Sequence, residues 1–298
     1  MTESEEKKKI IFIVNPKAGI TPKSKVVIEL LAGNLVPTSR FITEVAFTER
    51  AGHATELAKA AIENGTDIVV ASGGDGTVNE VAMALVNTDI PMGILPAGSG
   101  NGLARCLGIS MSYALALRTI IKGNTKLMDV ASVNDMLFAS IAGIGFDAFV
   151  AQKFSEASIR GMLSYMKIIL NEFRNYKPVK YNLTIDGKTI EKKALMIVFA
   201  NSDQFGFYTR IAPDAKVDDG LLDICVIRKM PASQLLSVGY HSMRGTLNKT
   251  GFAEYYRGKE ISINNVEGPL MNIDGEPKIV NTPVNISIKP LSLRVIVP

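Results

Sequence analysis

The sequence predicts an α/β domain with a three-layer, mostly parallel sheet, followed by a mostly antiparallel β-sandwich domain. In residues 1–125 short apolar runs alternate with helical patterns, which is typical of a parallel sheet covered on both faces. In residues 126–289 strand patterns joined by turn pairs dominate. The final segment, residues 290–298, is one more strand, which can join the first domain.

The elements of the first domain follow from continuous apolar runs and from helices with one apolar face. The predicted strands are Ile10–Val14, Phe41–Phe47, Ile68–Ala71 and Met92–Leu95. The predicted helices are Pro22–Gly33, Gly52–Asn64, residues 78–85 and Tyr113–Ile121. In such sheets ligands bind at the carboxyl ends of the strands.

In the second domain, alternating and β-branched runs predict strands, and longer apolar patterns predict two helical regions. The strands are Lys126–Val133, Leu137–Gly143, Val179–Ile185, Ala194–Ala200, Leu221–Ile227, Lys259–Asn264 and Val284–Ile288. The helical regions are Phe149–Phe173 and Pro231–Met243.

The composition narrows the class of protein. The 298 residues are 47% hydrophobic with a mean hydropathy of +0.18, yet no run reaches the roughly 18 apolar residues of a membrane span. The net charge of +4 does not suggest a nucleic-acid binder, but it is compatible with weak attraction to an anionic membrane. The charged start, residues 1–9, lacks the apolar core of a signal peptide, so we expect a cytoplasmic protein. Apolar surroundings favour buried thiols at Cys106 and Cys225, and no zinc spacing is present.

Three glycine-rich loops follow predicted strands. They are residues 15–19 (NPKAG), residues 72–80 (SGGDGTVNE) and residues 96–101 (PAGSGN), and Thr48 follows a further strand. Such loops let backbone N–H groups approach a phosphate, and a helix N-terminus adds a favourable dipole. Because a bare carboxylate repels phosphate, Asp75 is expected to act through Mg²⁺ or water; the simpler interpretation is a tight turn with Asp75 as a helix cap. None of the loops is a Walker A loop or a GxGxxG fingerprint.

Together with later motifs, these loops resemble the diacylglycerol kinase / sphingosine kinase superfamily of lipid kinases. The later motifs are residues 143–147 (GIGFD), 212–215 (APDA), 218–220 (DDG) and 274–276 (DGE). The resemblance spans about residues 10–280, and it implies a first domain like that of NAD kinases and phosphofructokinases. It also implies ATP- and Mg²⁺-dependent phosphorylation of a lipid hydroxyl such as that of diacylglycerol or a sphingoid lipid.

The resemblance carries individual roles onto this chain. Asp75 is implied near the phosphates and the catalytic Mg²⁺. The general base is implied at Asp274 or Glu276, with Glu276 slightly favoured, although a plain hairpin turn also suits these residues. A structural Mg²⁺ is implied at Asp219 and the backbone carbonyls of Lys216 and Leu221. The implied ATP contacts are Asn15, Pro16, Lys17, Ala18, Gly19, Thr48, Gly73, Gly74, Asp75, Gly76, Thr77, Val78, Asn79 and Ser99.

The lipid side is predicted in less detail. Residues 159–176 form an amphipathic helix that either packs on the β domain or touches the acyl chains or the membrane. Asp147 is a candidate for contact with the lipid head group. Ser99 and Phe207 depart from the sequence pattern that is usual in bacterial diacylglycerol kinases, so the sequence does not identify the lipid substrate.

The expected protein is therefore a peripheral membrane lipid kinase without nucleic-acid partners, and exposed sheet edges favour a homodimer. The alternatives are a kinase for a soluble substrate such as NAD and a non-catalytic nucleotide- or lipid-binding sensor.

Overall fold

A computed structural model describes residues 6–19, 36–98, 100–157, 161–206 and 209–298. The predicted helix Pro22–Gly33, Ser99 and Phe207 lie outside the described residues. The chain divides into two compact units, one formed by Met1–Met128 with Leu291–Pro298, the other by Asp129–Pro290.

The first unit is built on a parallel sheet in the order β2-β1-β3-β4. Its strands are β1 (Lys8–Val14), β2 (Phe41–Phe47), β3 (Ile68–Gly73) and β4 (Met92–Pro96). Val295, near the chain's end, pairs with Met92 in parallel, so the last residues extend this sheet. The central strands β3 and β4 are buried throughout, as expected for a sheet covered on both faces.

The described helices of the first unit are α1 (His53–Glu63), α2 (Asp75–Leu85), α3 (Gly102–Cys106) and α4 (Tyr113–Lys122). The sequence predicts α1, α2 and α4 but not the short helix α3. The residues buried in these helices are mostly apolar, for example Ala58 in α1 and Leu85 in α2. The α/β class predicted for this part of the chain is confirmed.

The second unit contains antiparallel sheets. One sheet has six strands in the order β14-β13-β10-β7-β16-β17. Another contains the pairs β15–β18, β15–β8 and β8–β9 and the hairpin β5–β6. Strands β11 and β12 form a small two-stranded ribbon. The strands are β5 (Thr125–Val133), β6 (Met136–Phe138), β7 (Ile141–Gly145), β8 (Val179–Ile185), β9 (Lys188–Ala194), β10 (Met196–Ala200), β11 (Gln204–Gly206), β12 (Thr209–Arg210), β13 (Leu222–Ile227), β14 (Ala253–Gly258), β15 (Glu260–Ile263), β16 (Leu270–Ile273), β17 (Glu276–Ile279) and β18 (Val284–Ile296).

The core of the second unit lies between these sheets. Side chains of the six-stranded sheet, such as Phe199 and Ile224, pack in one cluster with Leu183, Ile261 and Ile286 of the facing strands. The β-sandwich prediction is therefore confirmed.

Three helices cover the outer face of the six-stranded sheet. They are α5 (Phe146–Glu156), α6 (Met162–Glu172) and α7 (Leu235–Met243), and short 3₁₀ turns occur at Ala232–Gln234 and Leu247–Thr250. Val150, Phe173 and Val238 join Val198 and Cys225 of the sheet in a second apolar cluster. Within the described residues, no helix is long and apolar enough to cross a bilayer.

The sequence misses six of the described strands: β11 and β12 form the small ribbon, β16 is a short internal strand, and β9, β14 and β17 lie at sheet edges. Natural edge strands carry charges and proline that discourage pairing with other chains, so their sequences lack the apolar alternation of central strands. Lys192 and Lys193 of β9 and Pro277 of β17 are of this kind. The prediction of one strand over Leu137–Gly143 is also wrong, because a bend at residues 139–140 separates two strands, β6 and β7.

Candidate active site

The three glycine loops of the first unit leave neighbouring parallel strands at the same level. Val14 pairs with Ser72, and Gly73 pairs with Pro96, so β1, β3 and β4 end side by side. The Asn15 amide donates from its backbone N–H to the Ser72 carbonyl (2.9 Å), and its Nδ2 donates to Thr77 Oγ1 (3.3 Å). The loops predicted from the sequence therefore lie together at one edge of the sheet.

Glycine is required where these loops meet because their backbones touch. A Cβ atom on Gly98 would lie 2.5 Å from the Cα of Gly74. Gly19 has φ +90°, and a Cβ there would lie 2.8 Å from the carbonyl oxygen of Ala97. Side chains at these positions would separate the loops, so the glycines fix how closely the backbone N–H groups converge.

The carboxylate of Asp75 connects the second loop to the third. At the start of α2, its Oδ1 accepts the Gly102 N–H (2.6 Å) and its Oδ2 accepts the Asn101 N–H (2.9 Å). A Cβ on Gly100 would lie 2.5 Å from Oδ2, so this residue too must be small. Asp75 therefore positions the backbone of the 96–101 loop and caps the N-terminus of α3. The sequence suggests Asp75 as a helix cap, but it does not indicate that the capped helix is α3.

Glu80 performs a similar task for the loop that precedes α1. Its carboxylate accepts the N–H groups of Gly52 (2.9 Å) and Ala54 (3.0 Å), and its carbonyl accepts the Thr55 hydroxyl (2.9 Å). Thr48 begins this loop and donates its backbone N–H to the Val14 carbonyl (2.8 Å). Glu80 belongs to the 72–80 motif, but the motif alone predicts no role for it. The available sequence signal is an acidic residue at the sixth position of a helix that follows a glycine loop.

Two polar atoms beside the loops are buried without a protein partner among the described residues, namely Ser72 Oγ and Asn79 Oδ1. Buried polar atoms in proteins are nearly always hydrogen-bonded. These two atoms therefore fit a site that is completed by a polar ligand or by water, and Asn79 is one of the residues predicted to contact ATP.

In the second unit, residues 274–276 form the tight turn between β16 and β17. Asp274 and Gly275 both have positive φ, +46° and +92°, which is typical of the Asp-Gly turn of a two-residue hairpin. The Asp274 carboxylate accepts three backbone N–H groups, from Ala139 (2.7 Å), Ser140 (2.9 Å) and Ile141 (2.8 Å). The hairpin interpretation is correct, and Asp274 anchors the turn to the start of β7.

Glu276 is differently placed. It is an exposed residue at the start of β17, and its carboxylate forms an ion pair with Lys278 (2.9 Å, both side chains 48% exposed). An ion pair with this exposure contributes little stability and exchanges readily with solvent. Of the two carboxylates in the turn, Glu276 is the one with oxygens open to a reacting group.

Asp147 lies in the first turn of α5 and is 2% exposed. Its carboxylate accepts both of its described hydrogen bonds from the Asn272 amide. Burial raises the pKa of Asp147 to about 7, and the hydrogen bonds from Asn272 oppose this rise. In this structure its carboxylate is covered, so direct contact with a head group requires rearrangement around it.

The raised pKa of Asp147 predicts a pH-dependent stability. The ordinary pKa is 3.8, so the folded state holds this proton more tightly than the unfolded state between about pH 4 and pH 7. The stabilisation is complete below pH 4 and is lost as the pH rises through 7. Relative to the wild type, Asp147→Asn should therefore gain stability with rising pH over this window, measured by urea unfolding at each pH. Parallel pH profiles for the two proteins would contradict the buried, raised pKa.

The turn at residues 218–220 is held by charged contacts. The Gly220 N–H donates to Asp129 Oδ2 (2.7 Å), and the Leu221 N–H donates to Asp219 Oδ1 (3.1 Å). Arg257 forms ion pairs with Asp219 and with Asp223, the latter at 3.3 Å. Burial raises the pKa of Asp223, and Arg257 opposes this rise.

Comparison with known proteins identifies the family to which the chain belongs. Residues 9–133 match the diacylglycerol kinase catalytic domain, and residues 140–297 match the YegS C-terminal NAD kinase beta sandwich-like domain. A diacylglycerol kinase of Mycobacterium tuberculosis (strain H37Rv) is 30% identical over 254 residues, which cover 82% of this chain and 81% of that protein. The chain belongs to the diacylglycerol kinase family.

Two further similarities cover most of the chain. An uncharacterised protein of Synechocystis is 32% identical over 267 residues; the match covers 86% of this chain but only 61% of that longer protein. The crystal structure of a putative diacylglycerol kinase from Bacillus anthracis superposes with a TM-score of 0.74 at 25% identity, covering 98% of this chain and 97% of that one. The chain is thus a kinase-family member with the fold of its structural relatives.

The Mg²⁺ implied by this family can be compared with the donors present. Carboxylate and carbonyl oxygens, the type offered by Asp219, Lys216 and Leu221, are the ligands that Mg²⁺ prefers. However, both Asp219 oxygens already accept protein donors, and within the described residues no three His, Cys, Asp or Glu side chains are grouped as metal ligands. A metal at this turn therefore needs Arg257 to release Asp219. The predicted role of Ser99 lies outside the described residues.

Proposed function

We propose that this member of the diacylglycerol kinase family is an ATP- and Mg²⁺-dependent lipid kinase that phosphorylates a lipid hydroxyl of the diacylglycerol or sphingoid type. The observation that carries the proposal is the convergence of three glycine loops at one sheet edge, with Asp75 holding two of them together. Loops of this kind offer backbone N–H donors to phosphates, and the N-terminus of α2 adds its dipole. Phosphoryl transfer depends mostly on such positioning and charge stabilisation.

In the proposed reaction, residues of the loops hold the phosphates of ATP. Glu276 takes the proton of the acceptor hydroxyl. The hydroxyl oxygen forms the new bond to the γ-phosphorus, the bond between the γ-phosphorus and the oxygen of ADP breaks, and ADP leaves. Asp274 is assigned to positioning because three backbone donors already occupy its carboxylate. A bound Mg²⁺ would neutralise charge on the transferred group.

The proposal of a lipid acceptor is supported by the outer surface of the second unit. One side of α6 packs inward through Tyr165 and Ile169, but Leu163 (88% exposed), Met166 and Leu170 are exposed on it. On α7, Leu236 (73% exposed), Tyr240 and Met243 recur at helical spacing and are exposed as well.

These two helices cover the same face of the sandwich and lie next to a basic segment. Lys229, which precedes α7, donates to the carbonyls of Phe173 and Tyr176 after α6, the latter at 3.1 Å. Residues 228–250 contain Arg228, Lys229, Arg244 and Lys249 and no acidic residue. Exposed apolar side chains beside a positive surface match the chemistry of an anionic bilayer. We therefore assign the outer surface of α6 and α7 as the face that contacts the lipid membrane.

This assignment predicts a loss of vesicle binding on mutation. Leu236→Ser/Tyr240→Ser/Met243→Ser should reduce cosedimentation with phosphatidylglycerol vesicles by about tenfold, because three partly inserted side chains lose their apolar contact with the membrane. The matched control is Ile42→Ser/Leu115→Ser, which removes exposed apolar side chains of the first unit (55% and 50% exposed) and should bind as the wild type does. Equal binding by both variants, or a surface that mediates self-association instead, would contradict the assignment.

The function itself is tested by transfer of label from γ-³²P-ATP to a panel of lipids in mixed micelles, with Mg²⁺ and with EDTA. A Mg²⁺-dependent labelled lipid is expected, and its mobility identifies the acceptor class. Labelling of NAD but of no lipid would replace the proposal with a soluble-substrate kinase, and binding of ATP without any transfer would favour a sensor.

A further inference from the structure

Asp147 has no part in the reaction just proposed, yet the surrounding sequence is arranged to accommodate it. Its carboxylate occupies the space above Gly143 of β7, where a Cβ atom would lie 1.9 Å from Asp147 Oδ2. Gly145 has φ +95°, and a Cβ there would lie 2.7 Å from the carbonyl oxygen of Leu195, so this position also favours glycine. Both glycines of residues 143–147 are thereby explained by the entry of Asp147 and α5 onto the sheet.

The partner of Asp147 is Asn272, which lies opposite Gly143 in the β16–β7 ladder. Asn272 Nδ2 donates to both carboxylate oxygens of Asp147, at 3.2 and 3.0 Å. Its Oδ1 accepts the backbone N–H of Gly275 at 2.9 Å. Only this orientation of the amide satisfies both neighbours, because the opposite one sets oxygen against carboxylate and NH₂ against N–H.

The contact with Gly275 links a buried carboxylate to the turn that carries Glu276. The described polar anchors of the turn are the Asp274 carboxylate on residues 139–141, the Asp274 N–H on the Ile141 carbonyl (2.9 Å) and the Gly275 N–H on Asn272. Asp147 determines the anchor at Gly275, since it fixes which end of the Asn272 amide faces Gly275. A buried carboxyl group paired with an amide is a directional contact, and leaving the amide donor unpaired is costly.

We propose that Asp147 is a positioning residue for the reaction, acting through Asn272 and Gly275 to fix the backbone that presents Glu276. The expected effect on kcat rests on the proposed function. The coupling of Asp147 to the Gly275 N–H is a structural statement that holds whatever the function is. It differs from contact with the lipid head group, because the carboxylate is covered and acts inside the protein.

The test exchanges the two partners. Asp147→Asn sets an NH₂ group against the Asn272 NH₂ group at one of the two contacts, and Asn272→Asp sets carboxylate against carboxylate. In the double variant Asp147→Asn/Asn272→Asp, the new amide donates to the new carboxylate, whose other oxygen accepts the Gly275 N–H. Hydrogen exchange at the Gly275 amide, which requires no activity, should be about tenfold faster or more in each single variant and return towards the wild-type rate in the double variant.

The kinetic arm measures kcat and KM for ATP in the same proteins. Each single variant should lose about tenfold in kcat with KM for ATP nearly unchanged, and the double variant should recover to within about threefold of the wild type. Unchanged exchange at Gly275 in the single variants, or a double variant no better than they are, overturns the proposal. If the single variants fail to fold, a folded double variant with a protected Gly275 amide supports it and an unfolded one overturns it. A wild-type protein that labels no lipid refutes the proposed function. The hydrogen-exchange measurement still decides whether Asp147 positions the Gly275 N–H.

Discussion

Replacement of Asp75 by asparagine is expected to lower turnover by at least about 100-fold and to weaken ATP binding. The substitution keeps the shape of the side chain but turns an NH₂ group towards either the Asn101 or the Gly102 N–H. The 96–101 loop then loses one of the contacts that hold it beside the 72–80 loop, and a shift of about 1 Å in a reacting group is enough for a loss of this size. Turnover and KM for ATP in the labelled-lipid assay measure the effect.

Asp67→Asn is the matched control for this variant. The Asp67 carboxylate also accepts a backbone N–H, that of Lys9 at 2.7 Å, but it is exposed and lies just before β3, at the end of the sheet away from the loops. It should retain turnover within about twofold, since surface contacts of this kind are weak. Near-normal activity of Asp75→Asn would show that the Asp75 carboxylate is not needed to position the loops for the reaction.

The second large effect is expected at Glu276. Glu276→Gln removes the proposed base without changing the size of the side chain, so kcat should fall by about 10²- to 10⁴-fold while ATP binding is retained. The free energy of unfolding should scarcely change, because the only ion pair described for Glu276 is exposed. Kinetics, ATP titration and urea unfolding of one preparation separate these quantities.

Two comparisons make the assignment of the base decisive. Glu267→Gln makes the same chemical change at an exposed position of the same unit and should leave kcat unaltered. Asp274→Asn should instead lower the free energy of unfolding by about 1–3 kcal/mol, because it disturbs three backbone hydrogen bonds. If Asp274→Asn keeps its stability and loses turnover while Glu276→Gln remains active, the base is Asp274.

The fold is predictable from the sequence wherever burial determines residue type. Strands β3 and β4 are buried along their whole length, and their continuous apolar runs predict them directly. The edge strands β9, β14 and β17 are not predictable in this way, since one of their edges faces no partner strand and charges are tolerated there.

The candidate site is predictable only in part for a related reason. Glycine and strand patterns are local, so they locate the three loops and the Asp-Gly turn. The partners of the side chains are not local: Asp75 meets residues 101 and 102, and Asp147 meets Asn272 across 125 positions of sequence. No spacing rule indicates such pairs, and for that reason the positioning roles of Asp75, Asp274 and Asn272 emerge only from the folded chain.

Transfer of phosphate from ATP to a lipid is best measured on three forms of the protein at once. The wild type, Asp75→Asn and Glu276→Gln are assayed side by side for label transfer from γ-³²P-ATP to diacylglycerol, sphingosine and ceramide in Mg²⁺-containing mixed micelles. We expect the wild type to label a lipid and both variants to reduce this labelling by at least about 100-fold. Lipid labelling that neither variant reduces, or no labelled lipid at all from a folded wild type that binds ATP, would contradict this expectation.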